Sequence, residues 1–160
     1  MKGTVHYEVK DGVAILTVDN PPVNPLSDGV RAGFVNNIDK AENDPDVLGV
    51  VLTGAGRSFI AGADISEFGK NPDGPGLDEA FKKLEFCSKP VVAAINGSAL
   101  GGGLETALVC NYRIAGPAAF VGLPEVNLGL LPGAGGTQRL PRLVGPAEAL
   151  KMMLTGMHVN

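Results

Sequence analysis

Two carboxylates stand almost alone in this sequence. Between Lys89 and Arg113 the only acidic or basic residue is Glu105, and between Arg113 and Arg139 the only one is Glu125. Each lies in a long apolar, glycine-rich stretch. Burial there penalises the charged form of a carboxylate, raises its pKa and suits it to proton transfer near neutrality. Bland roles also fit both residues. Glu105 in a first helical turn would complement the helix dipole, worth about 0.3–1 kcal/mol. Glu125, directly after Pro124, would accept backbone hydrogen bonds in a loop.

The stretch "ALGGGLET" (99–106) sets three bare glycines just ahead of Glu105. Glycine in triplicate weakens any regular element, so it marks a place that needs exposed backbone. The first N–H groups of a helix point outward without partners and favour an anion. A second small-residue turn, "FIAGADI" (59–65), exposes backbone around Ala63. Two such donors meeting one oxygen would make an oxyanion hole, although each stretch also reads as an ordinary turn.

The elements that must position these groups alternate between strand and helix. Residues 4–9 and 13–18 alternate in polarity around Asp11-Gly12, a hairpin signal. "DNPPVNPLS" is too proline-rich for a regular element, and Ser27 or Asp28 then caps a helix running to about Asn43. Buried strands are expected at 48–56 and 90–95, and a helix at 77–87. A further helix starts within the glycine triplet and runs to about Tyr112, followed by short strands at 112–115 and 119–121. After the turn "LPGAGG" (131–136), a helical tail spans Thr137 to Leu154 with a break near Pro146. The class is α/β. If a helix from 105 to 112 descends about 12 Å at ~1.5 Å per residue, the following strands can climb back at about 3.3 Å per residue. Both carboxylates can then face one pocket.

Composition narrows the chemistry. The chain has 160 residues, 44% hydrophobic and 19% charged, with 23 glycines in no strict period. That fits one globular domain with a real core. A net charge of −4 and no basic cluster beyond a pair such as Lys82-Lys83 argue against nucleic acid as a partner. The apolar run 90–110 is interrupted by Asn96-Gly97-Ser98, the glycines and Glu105, so a core strand–turn–helix is expected and a membrane span is not. "MKGTVHYEVK" carries no apolar signal-peptide core. Cys87 and Cys110 offer no disulfide framework and read as buried reduced thiols of a cytoplasmic protein. His6 and His158 stand at opposite ends of the chain, so no metal site is expected. None of "GAGRSF", "GGGLET" or "GAGGTQ" completes a dinucleotide fingerprint. The near miss to a P-loop at Gly69-Lys70 lacks the first glycine and the Ser/Thr, and "GRSFI" fails the nucleophile elbow at its last position.

Three segments, "TGAGRSFIAGADISEF", "KPVVAAINGSALGGGLETALVCNYRIA" and "VGLPEVNLGLLPGAGGTQRLPRLVG", closely resemble the crotonase (enoyl-CoA hydratase/isomerase) superfamily. The likeness runs from Val5 to Met157, with the motifs in the family's order. "NPPVN" and "FIAGADISEFGK" are most similar to the N-terminal region of multifunctional β-oxidation proteins, which continue into a 3-hydroxyacyl-CoA dehydrogenase. The resemblance implies a crotonase-like spiral of ββα units, with residues 1–160 forming an acyl-CoA-binding core that stops before the family's C-terminal helices.

The resemblance also implies a chemistry. Backbone N–H groups of Ala63 and Gly102 would form the oxyanion hole, and Glu105 and Glu125 would be the acid/base pair. The segment Ala61, Gly62, Asp64, Ile65 and Ser66 would line the thioester path, with Val23 and Leu26 near the adenine. Asn111 stands where relatives often have aspartate. The implied reaction is hydration of a trans-2-enoyl-CoA in fatty-acid β-oxidation, Glu105 taking the proton of water and Glu125 protonating C2. No separate cofactor is implied, since coenzyme A is part of the substrate. A homo-oligomer is expected, in the cytoplasm, or in a peroxisome or mitochondrion of a eukaryote. An isomerase moving a 3-enoyl double bond to the 2-position, or an inactive acyl-CoA-binding fragment, are the alternatives.

Overall fold

The computed structural model describes residues 2–70 and 73–160. Strands β1 (Thr4–Lys10) and β2 (Val13–Asp19) form the antiparallel hairpin that Asp11-Gly12 signals. Both turn residues take positive φ, 50° and 77°, as a two-residue primed turn requires. Helix α1 (Asp28–Asn43) follows, with Ser27 at its N-cap. The Ser27 hydroxyl caps nothing: it donates to the Lys2 carbonyl and accepts from Asn20 Nδ2 at 3.0 Å, so it ties the N-terminal segment to the helix start.

From there one pattern repeats three times. β3 (Gly49–Gly54) and β4 (Ser58–Ile60) precede α2 (Leu77–Glu85). β5 (Val91–Ile95) and β6 (Ser98–Leu100) precede α3 (Gly102–Val109). β7 (Tyr112–Ala115) and β8 (Phe120–Gly122) precede a 3-10 turn at Pro124–Leu128 and then α4 (Gly136–Val144). The first strand of each pair joins a five-stranded sheet ordered β1-β2-β3-β5-β7. The second joins a four-stranded sheet ordered β4-β6-β8-β9, where β9 is His158–Val159. Within the repeats the pairings are parallel, so each unit advances one strand in both sheets. This is the spiral of ββα units that the resemblance implies.

The core lies between α1, the larger sheet and β4. Leu16, Val18, Phe34, Ile38, Leu52, Phe59 and Ile60 are all fully buried there. Each such side chain contributes about 1.5–3 kcal/mol through burial. All eight residues of α3 are buried, so its apolar character on every side reflects an internal helix. No helix among the described residues is long and apolar enough to cross a membrane.

Two local expectations are revised. β4 and β6 are strands where the sequence suggests only turns; three residues long, they exist through parallel pairing with each other and with β8. α3 ends at Val109, short of Tyr112. Asn111 stops it, because its N–H donates to the Val91 carbonyl at 2.9 Å and its Oδ1 accepts the Val91 N–H at 2.8 Å, which draws the chain into β7 beside β5. The helical tail breaks near Pro146 as the sequence predicts: α4 and α5 (Pro146–Thr155) are separated at Gly145, whose φ is 86°. His6 makes an exposed pair with Asp19 at 2.9 Å, and His158 stacks on Phe120.

Candidate functional site

The glycine triplet sits where β6 turns into α3, and its members do different jobs. Gly101 has φ 51° and ψ −124°, a conformation that L side chains avoid, and it turns the chain sharply into the helix. A Cβ on Gly103 would stand 1.9 Å from the Ile60 carbonyl oxygen, so bare backbone lets α3 pack directly on β4. Gly102 lies between them. A Cβ there would stand 3.4 Å from the Ala63 nitrogen and 3.0 Å from Leu26 Cδ1, which brings the two small-residue turns side by side.

Neither the Ala63 nor the Gly102 N–H donates to another backbone group among the described residues. Gly102 opens α3, so its N–H is one of the helix's unpaired leading donors. Both residues border a cavity of about 490 Å³.

Glu105 reaches the same cavity from the first turn of α3 and is only 3% exposed. Its Oε1 accepts two backbone hydrogen bonds, from Ala134 and from Gly136, each at 2.8 Å. These donors lie at the start of α4, so the carboxylate occupies the anion site that a helix N-terminus provides. Burial raises the Glu105 pKa, and the Gly136 and Ala134 amides and the Arg139 charge oppose that rise without cancelling it.

Glu125 enters from the 3-10 turn Pro124–Leu128. Its Oε1 lies against Gly101, 3.0 Å from where a Cβ would be. Its Oε2 is buried and has no hydrogen-bond partner. Burial again raises the pKa first, its own backbone N–H opposes that rise, and the neighbouring Glu105 charge raises it further. Two carboxylates on one cavity therefore have unlike surroundings: Glu105 is cradled by two amides from α4, whereas Glu125 has only its own backbone N–H and leaves Oε2 without a partner. Such a difference separates an acid role from a base role.

The remaining expected residues divide. Ala61, Gly62 and Ile65 line the cavity with Ala63. Asp64 turns away, and its carboxylate accepts from the Ser66 hydroxyl at 2.7 Å and the Ser66 N–H at 3.0 Å and pairs with Lys2 at 3.2 Å. That network caps the 3-10 turn Ile65–Glu67 and holds the Asp64 pKa down. Asp64 and fully buried Leu26 line a smaller recess of about 190 Å³ next door. Ser66 and Val23 line neither space; the Val23 carbonyl accepts the Ala61 N–H at 3.0 Å while its side chain faces solvent. A short helical turn sends successive side chains to different sides, so residues 61–66 do not form one lining strip.

Sequence reasoning missed the Ala134 and Gly136 donors, because "LPGAGG" reads as a plain turn. The available signal was a glycine pair opening a helix, the same feature that draws attention to residues 101–103. It also missed the apolar mouth of the cavity, formed by Phe68, Leu128, Leu130 and Leu131.

A family model described as enoyl-CoA hydratase/isomerase matches residues 8–160. The chain is 54% identical over 155 residues to the peroxisomal bifunctional enzyme of Danio rerio, covering 96% of this chain and 22% of that protein. It is 48% identical over 169 residues to a glyoxysomal fatty acid β-oxidation multifunctional protein of Brassica napus, covering 99% of this chain and 23% of that one. Among solved structures it resembles the enoyl-CoA hydratase from Bacillus anthracis, with TM-score 0.89 and 34% identity over 98% of this chain and 64% of that one. The chain thus spans less than a quarter of the length of these two curated relatives.

Proposed function

The chain belongs to the enoyl-CoA hydratase/isomerase family, and on that premise we propose that its cavity adds water across the 2,3 double bond of a trans-2-enoyl-CoA thioester. The observation that carries this reading is the pairing of Glu105 with a buried, unpartnered Glu125 oxygen on one cavity that also borders Ala63 and Gly102.

In the reaction the thioester oxygen accepts from the Ala63 and Gly102 N–H groups. Those donors stabilise the enolate charge that develops as water attacks C3, and one donor of this kind is worth ~10²–10³ in rate. Glu105, whose carboxylate two amides hold in place, takes a proton from the attacking water. Glu125, whose protonated form burial and the Glu105 charge favour, gives its proton to C2. The hydroxyl ends on C3, the hydrogen on C2, and the carboxylates exchange their proton through solvent to reset. Coupled carboxylates titrate as a pair, so the pH profile belongs to both. Coenzyme A enters only as part of the substrate. The name of the Brassica napus relative supports fatty-acid β-oxidation as the setting, and the two names together support a peroxisome or glyoxysome.

The test is consumption of a trans-2-enoyl-CoA, followed by the loss of its conjugated thioester absorbance, with one deuterium delivered to C2 in heavy water. A folded protein that leaves the enoyl thioester intact refutes the reading. A protein that only moves a 3-enoyl double bond into conjugation would be an isomerase.

A further inference from the structure

Outside the cavity, one ion pair is joined to Glu105 through the backbone. Arg139 in α4 donates from Nε to Glu85 Oε1 at 3.1 Å and from Nη2 to Glu85 Oε2 at 2.7 Å. This fork-to-fork pairing ties the end of α2 to the first half of α4. The third arm, Nη1, donates to the Ala134 carbonyl at 3.3 Å. Ala134 is also one of the two residues whose N–H groups hold Glu105. The peptide turn 134–136 is therefore gripped by the guanidinium on one side and by the carboxylate on the other.

Gly135 shows that the turn is shaped around this arginine. A Cβ at Gly135 would stand 1.9 Å from Arg139 Nη1, and its φ of 99° already excludes most side chains. The α4 N–H groups of Gln138 and Arg139 close back onto the Gly135 carbonyl at 3.0 and 2.9 Å. The guanidinium thus lies over bare backbone that its own helix anchors. Arginine suits this place because its planar fork can hold both Glu85 oxygens and still reach a carbonyl, which a lysine ammonium cannot do.

We propose that Arg139, oriented by Glu85, is a positioning residue for Glu105: it fixes the Ala134–Gly136 turn that holds the base, and it places a positive charge behind that base. The proposal rests on the hydratase reading for its effect on turnover, but not for its effect on Glu105 itself. The charged groups acting on Glu105 are Arg139, which favours the carboxylate, and Glu125, whose own ionisation is coupled to Glu105. Glu85 faces Arg139 and holds it in place.

Two variants in the full-length protein test this. Arg139→Gln removes charge and fork together. Its turnover should fall by about 10–10²-fold, the scale of a catalytic group misplaced from a distance, with KM little changed. The carboxyl infrared band of Glu105, assigned by difference from Glu105→Gln, should titrate at higher pH than in the parent. Arg139→Lys keeps the charge and loses the fork, so turnover should fall while the titration stays near the parental midpoint. A merely structural loss of the ion pair would lower stability and leave the midpoint alone. An unmoved midpoint in folded Arg139→Gln overturns the proposal, and so does parental turnover in Arg139→Lys, even where the Gln variant fails to fold. If the parent hydrates no enoyl thioester, the hydratase reading falls, and the Glu105 titration still decides this one.

Discussion

Replacing Glu125 with glutamine tests the site most cleanly, because the buried Oε2 has no partner to lose. Glutamine keeps the shape and removes the transferable proton. A positioned acid contributes about 10²–10⁴ in rate, and at 1.36 kcal/mol per tenfold the loss is about 3–5 kcal/mol of transition-state stabilisation. Stability should move the other way. Burial, then the Glu105 charge, raises the Glu125 pKa, so the folded protein binds this proton more tightly than the unfolded chain does. Where the native state binds more protons, stability falls as pH rises. The parent therefore loses stability as pH climbs from the ordinary carboxylate range through the raised folded value, and Glu125→Gln escapes that part of the loss. The assay pairs enoyl-CoA turnover with denaturant unfolding at about pH 4, in the ordinary carboxylate range, and at about pH 8, well above it. A variant that keeps turnover within tenfold, or that loses stability between the two pH values as steeply as the parent, would refute the reasoning.

Gly102→Val should abolish binding of acetoacetyl-CoA in calorimetry with circular dichroism unchanged, because its side chain would fill the space beside the Ala63 nitrogen; unaltered affinity would move the oxyanion donors elsewhere. Gly101→Ala should cost about 1–3 kcal/mol through its disallowed backbone conformation and lower turnover as well, since the new methyl lies 3.0 Å from Glu125 Oε1. Arg31→Met should destabilise the fold, near the lower end of the ~3–5 kcal/mol seen when one partner of a buried pair is removed. Arg31 is buried and holds Glu67 at 2.8 Å, the Leu26 carbonyl at 2.7 Å and the Pro75 carbonyl at 2.8 Å, and urea unfolding reads the loss directly.

Much of the architecture is legible along the chain. The Asp11-Gly12 hairpin, α1 with Ser27 at its N-cap, the strands at Val91–Ile95 and Tyr112–Ala115, and the break before Pro146 all follow from neighbouring residues. Local backbone preference and hydrophobic alternation act over a few residues, so a linear reading captures them. β4 and β6 escape it because three residues carry too little pattern, and their strand character comes from partners distant in sequence, β6 for β4 and both β4 and β8 for β6.

The site divides along the same line. The charge map alone singles out Glu105 and Glu125, because an ionisable group isolated in an apolar stretch will be buried in almost any compact fold. The sequence likewise marks residues 101–103 and 61–63 as bare backbone. It does not say which carboxylate is cradled. That depends on the Ala134 and Gly136 amides, 29 and 31 residues beyond Glu105, and on the absence of any such partner for Glu125 Oε2. Nor does it say that Asp64 and Ser66 turn toward each other, or that Arg139 reaches across 54 residues to Glu85. Composition fixes how costly a charge is to bury, whereas its hydrogen-bond partners are fixed by how far the two sheets advance with each turn of the spiral, which only the folded chain determines.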